Sequence, residues 1–213
     1  MRPPESWNRA PATVVIAVMT AAAWLVAWTG GLDQAGLWIG FTPAHVTSGP
    51  LAMRIFAAAA SPLTATLVHA GFLHLFFNLI IHLYCGRSVE TIVGSRALVL
   101  LYVLGAYAAA GAQFVADPGE TVPMVGASGA ISAIIGAYAM LFGRNRVKVA
   151  NATAATLINA LWVIVAWAAI QYLLGSMFRS AMNLNIAIAA HVGGFVAGLA
   201  LARPLLLWRW RGA

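Results

Sequence analysis

Residues 67–90 read LVHAGFLHLFFNLIIHLYCGRSVE. From Leu73 onward the stretch is apolar enough to cross a bilayer, yet it carries His74, Asn78 and His82 at four-residue spacing, a single helical stripe of uncharged polar groups. His69 stands just before the stripe. A polar side chain is costly in hydrocarbon, so each of these marks a candidate functional position facing a bundle interior or a water-filled cavity. The whole chain agrees that the solvent is a membrane. Its 213 residues are 62% hydrophobic and 8% charged, against roughly 25% charged in soluble proteins, and mean hydropathy is +0.87. This composition excludes a water-soluble globular domain. The lone cysteine, Cys85, forms no internal disulfide and reads as a small buried hydrophobe.

On either side of this stretch, boundaries set by charge, Pro and Gly mark six apolar spans in all: residues 11–29, 73–93, 98–116, 126–142, 154–175 and 186–207. Each is close to the ~20 residues that a membrane helix needs. The expected fold is therefore an all-α polytopic membrane protein, a six-transmembrane-helix bundle over residues 11–208, with a short lead at 1–10 and a basic tail at 209–213. A basic lead before an apolar run is also the pattern of a signal peptide, but the run is long and no small-x-small cleavage site follows it. The connection at 30–70 is half apolar, with Trp38, Ile39, Phe41 and the run from Ile55 to Ala60. It is expected to lie in the membrane interface with short helices of its own.

Basic residues set the orientation. With the N-terminus cytoplasmic, the inside collects Arg2, Arg9, Arg87, Arg96, Arg144, Arg146, Lys148, Arg203, Arg209 and Arg211, and only Arg54 and Arg179 fall outside. This ten-to-two split places both termini inside. It also accounts for a pI near 10.5 without a nucleic-acid partner.

Two further spans carry polar residues. The fourth opens VGASGAISAIIGAYA with Ser128 between Gly126 and Gly129, and the sixth contains AIAAHVGGFVAGLALA with His191. The second, fourth and sixth spans run in the same direction, so Ser128, His191, His74 and Asn78 share one level, within roughly the outer 10 Å at 1.5 Å per residue. Ser128, Ser132 and Gly136 form one small-residue stripe, and Ala190, Gly194 and Gly198 another. If these stripes face each other, His191 comes within reach of Ser128; the same stripes serve ordinary helix packing equally well.

Taken together, GASG around Ser128, the H-x4-H-x3-N pattern of His69, His74 and Asn78, and AHVGG around His191 resemble the rhomboid family of intramembrane serine proteases. The segment Gly86-x3-Glu90-x3-Gly94-Ser95 is similar to that family's Gly-x3-Glu segment, which makes Glu90 a supporting residue. The resemblance implies a Ser-His dyad of Ser128 and His191. It also implies an oxyanion hole from His74, Asn78 and the Ser128 backbone N–H, and substrates that are transmembrane proteins with small side chains beside the cut. The chemistry is consistent with this: a serine needs a base and the developing oxyanion needs donors. No acidic residue shares their level, so a Ser-His-Asp triad is not expected. Gly126 and Gly129 keep the nucleophile's surroundings small, His69 ties the outer loop to the core, and His82 is a packing residue. The fifth span, with Trp162 and Trp167, is a candidate gate for a substrate helix.

Two departures stand out. Many relatives carry a Trp-Arg pair in the first outer loop, whereas here Arg54 follows Met53. The position four beyond the nucleophile, aromatic in some members, is Ser132, which leaves another group, such as Phe195, to orient His191. The rival from another class is a proteolytically inactive rhomboid-like protein that binds transmembrane helices. A second rival is a haem or metal protein using His69, His74, His82 and His191; zinc protease chemistry would want an H-E-x-x-H helix, which is absent, and bis-His haem ligation would show as a Soret band. No cofactor or metal is expected. A transporter is disfavoured because the polar residues trace no path across the bilayer. The sequence leaves the oligomeric state open, and the lean six-span core suggests a bacterial inner membrane.

Overall fold

The computed structural model describes residues 7–143, 152–182 and 187–211. Arg2, Arg144, Arg146, Lys148 and Ile186 lie outside the described residues. The described chain is helical, with one isolated antiparallel bridge between Phe41 and Met124. The helices are α1 (Pro11–Gly30), α2 (Leu32–Ile39), α3 (Ala44–Thr47), α4 (Leu51–Ala59), α5 (Ser61–Thr64), α6 (Phe72–Ile81), α7 (Arg87–Val93), α8 (Ser95–Ala116), α9 (Ser128–Phe142), α10 (Ala152–Met182) and α11 (Ile188–Arg209). A π-helical turn at His82–Gly86 joins α6 to α7 without breaking the span.

Five of the described spans are long and apolar enough to cross a membrane: α1, α6 through α7, α8, α10 and α11. The sixth, α9, is apolar but only 15 residues long, or about 22 Å. A span that short suits a position inside the bundle, where the irregular backbone before it is covered by protein. Its burial agrees: Gly129 to Ile134, Gly136 and Ala137 are all buried, and α8 and α11 enclose it. By contrast α10 packs mainly on α11 and leaves Leu157, Leu161, Trp162, Val165, Ile170, Tyr172 and Leu173 exposed.

Lipid tails are as apolar as leucine, so close backbone approach, not hydrophobic burial, must hold such helices together. The α9–α11 seam shows how. A Cβ on Gly136 would collide with the Phe195 carbonyl, one on Gly194 with the Gly129 carbonyl, and one on Gly198 with the Ala133 carbonyl. The two small-residue stripes do face each other.

The buried carboxylate of Glu90, 1% exposed, fastens the start of α1. Because Pro11 opens that helix without an N–H, the unpaired donors of its first turn are those of Ala12 and Thr13. Glu90 Oε1 accepts from Ala12 N–H at 2.9 Å and from the Ser95 hydroxyl at 2.7 Å. Its Oε2 accepts from Thr13 N–H at 2.8 Å and from the Thr13 hydroxyl at 2.6 Å. About two turns earlier on the second span, His82 donates from Nε2 to the Thr13 carbonyl at 3.0 Å.

The connection at 30–70 does form short helices. It is tied down by Thr64 Oγ1 donating to the Ile39 carbonyl at 2.7 Å, Tyr107 Oη to the Ala59 carbonyl at 2.5 Å, and Arg54 Nε to the Val46 carbonyl at 3.4 Å. Arg54 thus anchors within the loop itself.

Candidate active site

Ser128 is the first residue of α9, where the N–H groups of the opening turn have no carbonyl one turn behind them. The chain reaches it through Gly126, whose φ of 113° lies in the left-handed region. Only glycine suits this position for a second reason: a Cβ there would stand 2.7 Å from Cε1 and 2.8 Å from Nε2 of His74. The His74 ring therefore lies directly against the backbone two residues before the serine.

The approach to Ser128 is held from several sides. Gly126 N–H donates to the Ala65 carbonyl at 2.9 Å, and the Phe41–Met124 pair exchanges backbone bonds at 3.0 and 2.8 Å. Ala44 N–H donates to the Glu120 carbonyl at 3.0 Å. Ala127 N–H donates to His69 Nε2 at 3.3 Å, and the His69 ring meets that of His74 edge-on at 5.0 Å. Burial, aided by the neighbouring His74 and opposed by the Leu67 carbonyl, lowers the His69 pKa to about 3. His69 is therefore the neutral acceptor this bond requires. The acidic residues of the approach are elsewhere: Asp117 is exposed, its carboxylate accepting from Gly119 N–H, and Glu120 accepts from Val122 N–H.

The α9–α11 seam brings His191 to the serine. Ser128 Oγ lies 2.7 Å from His191 Nε2, between residues 63 apart in sequence. The other ring nitrogen, Nδ1, lies 3.2 Å from Gln171 Oε1 on α10. Trp167, one turn before Gln171, donates from Nε1 to the His191 carbonyl at 3.3 Å and stacks on Phe195 at 5.1 Å and 12°. Phe195 is thus the platform for Trp167, and the polar partner of His191 is Gln171. Ser132 turns away, its hydroxyl donating to the Ser128 carbonyl at 2.7 Å.

Asn78 is buried and donates from Nδ2 to the His74 carbonyl at 2.8 Å. It lines a small cavity with Thr20, His82, Tyr102, Ala127 and Ile131, behind the residue that precedes Ser128. Gly129 lies against α8, where a Cβ would stand 2.6 Å from that of Ala109. Trp167 faces α11, whereas Trp162 is exposed.

The reading from sequence missed Gln171, although the criterion that singled out His74 and Asn78 applies to it equally: an uncharged polar side chain inside an apolar span. Its one-turn spacing from Trp167 marks the face of α10 that meets α11. Among the described residues no group of three or more His, Cys, Asp or Glu side chains is placed to hold a metal ion.

Fold and site together define a multi-pass integral membrane protein with a serine–histidine pair enclosed by its helices. A model of the Rhomboid domain matches residues 59–208, and the chain belongs to the rhomboid family. It is 32% identical to rhomboid protease GluP of Bacillus subtilis over 67% of this chain and 25% of that protein. It is 27% identical to rhomboid protease GlpG of Pectobacterium atrosepticum over 90% of this chain and 62% of that protein. The human rhomboid-related protein 3 is 38% identical over 36% of this chain and 18% of that protein. The chain thus spans less than two thirds of the length of each of these relatives.

Proposed function

We propose that the protein is an intramembrane serine endopeptidase that cuts transmembrane protein substrates with Ser128 as nucleophile and His191 as general base. The observation that carries this reading is the 2.7 Å contact between Ser128 Oγ and His191 Nε2. As Ser128 Oγ attacks the scissile carbonyl carbon, its proton passes to Nε2, and the carbonyl oxygen becomes an oxyanion. That charge develops beside the opening turn of α9, where the unpaired Ser128 N–H, His74 and Asn78 would serve as donors. The imidazolium returns its proton to the leaving amine, and an acyl ester on Ser128 remains. Water attacks the ester, gives a proton to Nε2, and the serine recovers it as the acid product leaves.

The chemistry requires an unwound substrate, because a helical backbone hides its carbonyls in its own hydrogen bonds; small or helix-breaking residues at the cut lower that cost. In the proposed topology, residues 11–208 form the protease domain, both termini are cytoplasmic in a bacterial inner membrane, and the serine opens to the outer face. No cofactor takes part.

The test is reconstitution of the full chain in lipid with a panel of labelled transmembrane substrates, comparing wild type with Ser128→Ala and His191→Ala. Cleavage by wild type alone, with fluorophosphonate labelling of Ser128, supports the dyad. Cleavage that persists in both variants overturns it. An intact fold that binds helices, cuts none and resists the fluorophosphonate would mean a proteolytically inactive rhomboid-like binding protein.

A further inference from the structure

We propose that Gln171 is a positioning residue for His191, holding the imidazole in the tautomer that can accept the serine proton. This rests on the reading of Ser128 and His191 as nucleophile and base. A neutral imidazole carries one N–H, and which nitrogen bears it is set by what each nitrogen faces. Gln171 Oε1, 3.2 Å from Nδ1, can only accept. The proton therefore sits on Nδ1, and the lone pair of Nε2 is left facing the Ser128 hydroxyl at 2.7 Å. In the opposite tautomer, Nε2–H would face Ser128 and could take no proton from it.

The geometry around Gln171 suits a fixed orienting group. Gln171 itself is buried, 7% exposed, so bulk water competes little for its side-chain carbonyl. Trp167 stands one turn away on the same face, binds the His191 carbonyl and stacks on Phe195. One stripe of α10 thus grips both the backbone and the ring of His191. A carboxamide is also the economical choice at this depth: it fixes ring orientation as an acid would, without the desolvation cost of a buried carboxylate. It offers no negative charge to stabilise an imidazolium, so its contribution is orientation alone.

The experiment compares wild type, Gln171→Leu and Gln171→Glu in the reconstituted full chain. Gln171→Leu keeps the shape and loses the acceptor, and Gln171→Glu keeps an acceptor. Three quantities are read: kcat and KM on a transmembrane substrate, the fluorophosphonate inactivation rate, and the ¹⁵N shifts of His191 in histidine-labelled protein, which report the tautomer. Gln171→Leu is expected to lose about 10²-fold in kcat and in inactivation rate, with KM within about twofold and His191 no longer held as the Nδ1–H form. Gln171→Glu is expected to recover both the tautomer and most of the rate. Trp167→Phe, which removes a donor to the backbone but not the ring's acceptor, is expected to leave the tautomer unchanged. The proposal is overturned if Gln171→Leu keeps the wild-type tautomer, or if the loss lies in KM or thermal stability alone. A wild-type protein that neither cleaves nor labels would instead defeat the protease reading, while the ¹⁵N spectra would still decide what sets the tautomer.

Discussion

Two polar clusters sit near opposite ends of the same apolar bundle, and they are built on opposite terms. At Glu90 both carboxylate oxygens are occupied by donors from Ala12, Thr13 and Ser95. At Ser128 the helix-start N–H groups have no intrahelical partner, and the hydroxyl lies within hydrogen-bond distance of His191 Nε2. Both use the start of a helix, where unpaired N–H groups attract negative charge. In one case a resident carboxylate fills that site permanently. In the other, on the proposed function, the site is kept for a charge that exists only during reaction.

Substitutions should separate the two ends. The largest effect is expected at the serine: Ser128→Ala should reduce cleavage by at least about 10³-fold and leave the thermal midpoint close to wild type, as read by activity and melting on one sample. Glu90→Leu should do the reverse. It strands four donors, the two on Thr13 fully buried, and should remove on the order of 3 kcal/mol of stability, while the fraction that remains folded still labels at Ser128. A Glu90→Leu protein that melts like wild type yet fails to label would erase the distinction between the clusters.

Smaller effects sharpen it. His74→Ala is expected to lower kcat about 10²-fold with little change in KM, as for removal of one oxyanion donor; a change in KM alone would place His74 in substrate binding. Gly198→Val puts a branched side chain against the Ala133 carbonyl and should cost about 2 kcal/mol through helix separation. Because that seam carries His191 to Ser128, labelling should slow more than the folded fraction falls.

The smallest effect is a pH dependence from His69. Folded, it stays neutral down to about 3, whereas unfolded it takes a proton near 6.5. Between these values the unfolded state binds more protons, so the contribution to stability is complete above 6.5 and declines as pH falls toward 3. Melting at pH 7 and pH 5 should show a lower midpoint at pH 5 for wild type and a weaker dependence for His69→Gln.

Much of the site was legible before any coordinates, and the exceptions have a common cause. Ser128, His191, His74 and Asn78 are conspicuous because polar groups are rare in these spans, and their helical spacing assigns them to faces. Spacing within one helix does not say which other helix that face will meet. Hence Glu90 could be singled out but not its partner Thr13, 77 residues away, and Ser132 signalled a missing orienting group without revealing Gln171. The π-turn at His82–Gly86 was equally hidden, since a single added residue in a helical turn leaves no mark on an apolar pattern.

Hydropathy and residue chemistry are properties of short segments, so the apolar solvent, the spans and the inventory of candidate site residues could be read along the chain. The pairings could not, and they come from the packed helices: serine to histidine, histidine to glutamine, and glutamate to the start of a distant helix. Those pairings depend on how closely two backbones approach, and at the α9–α11 seam that distance is set by glycines whose missing side chains have meaning only beside the carbonyls they meet.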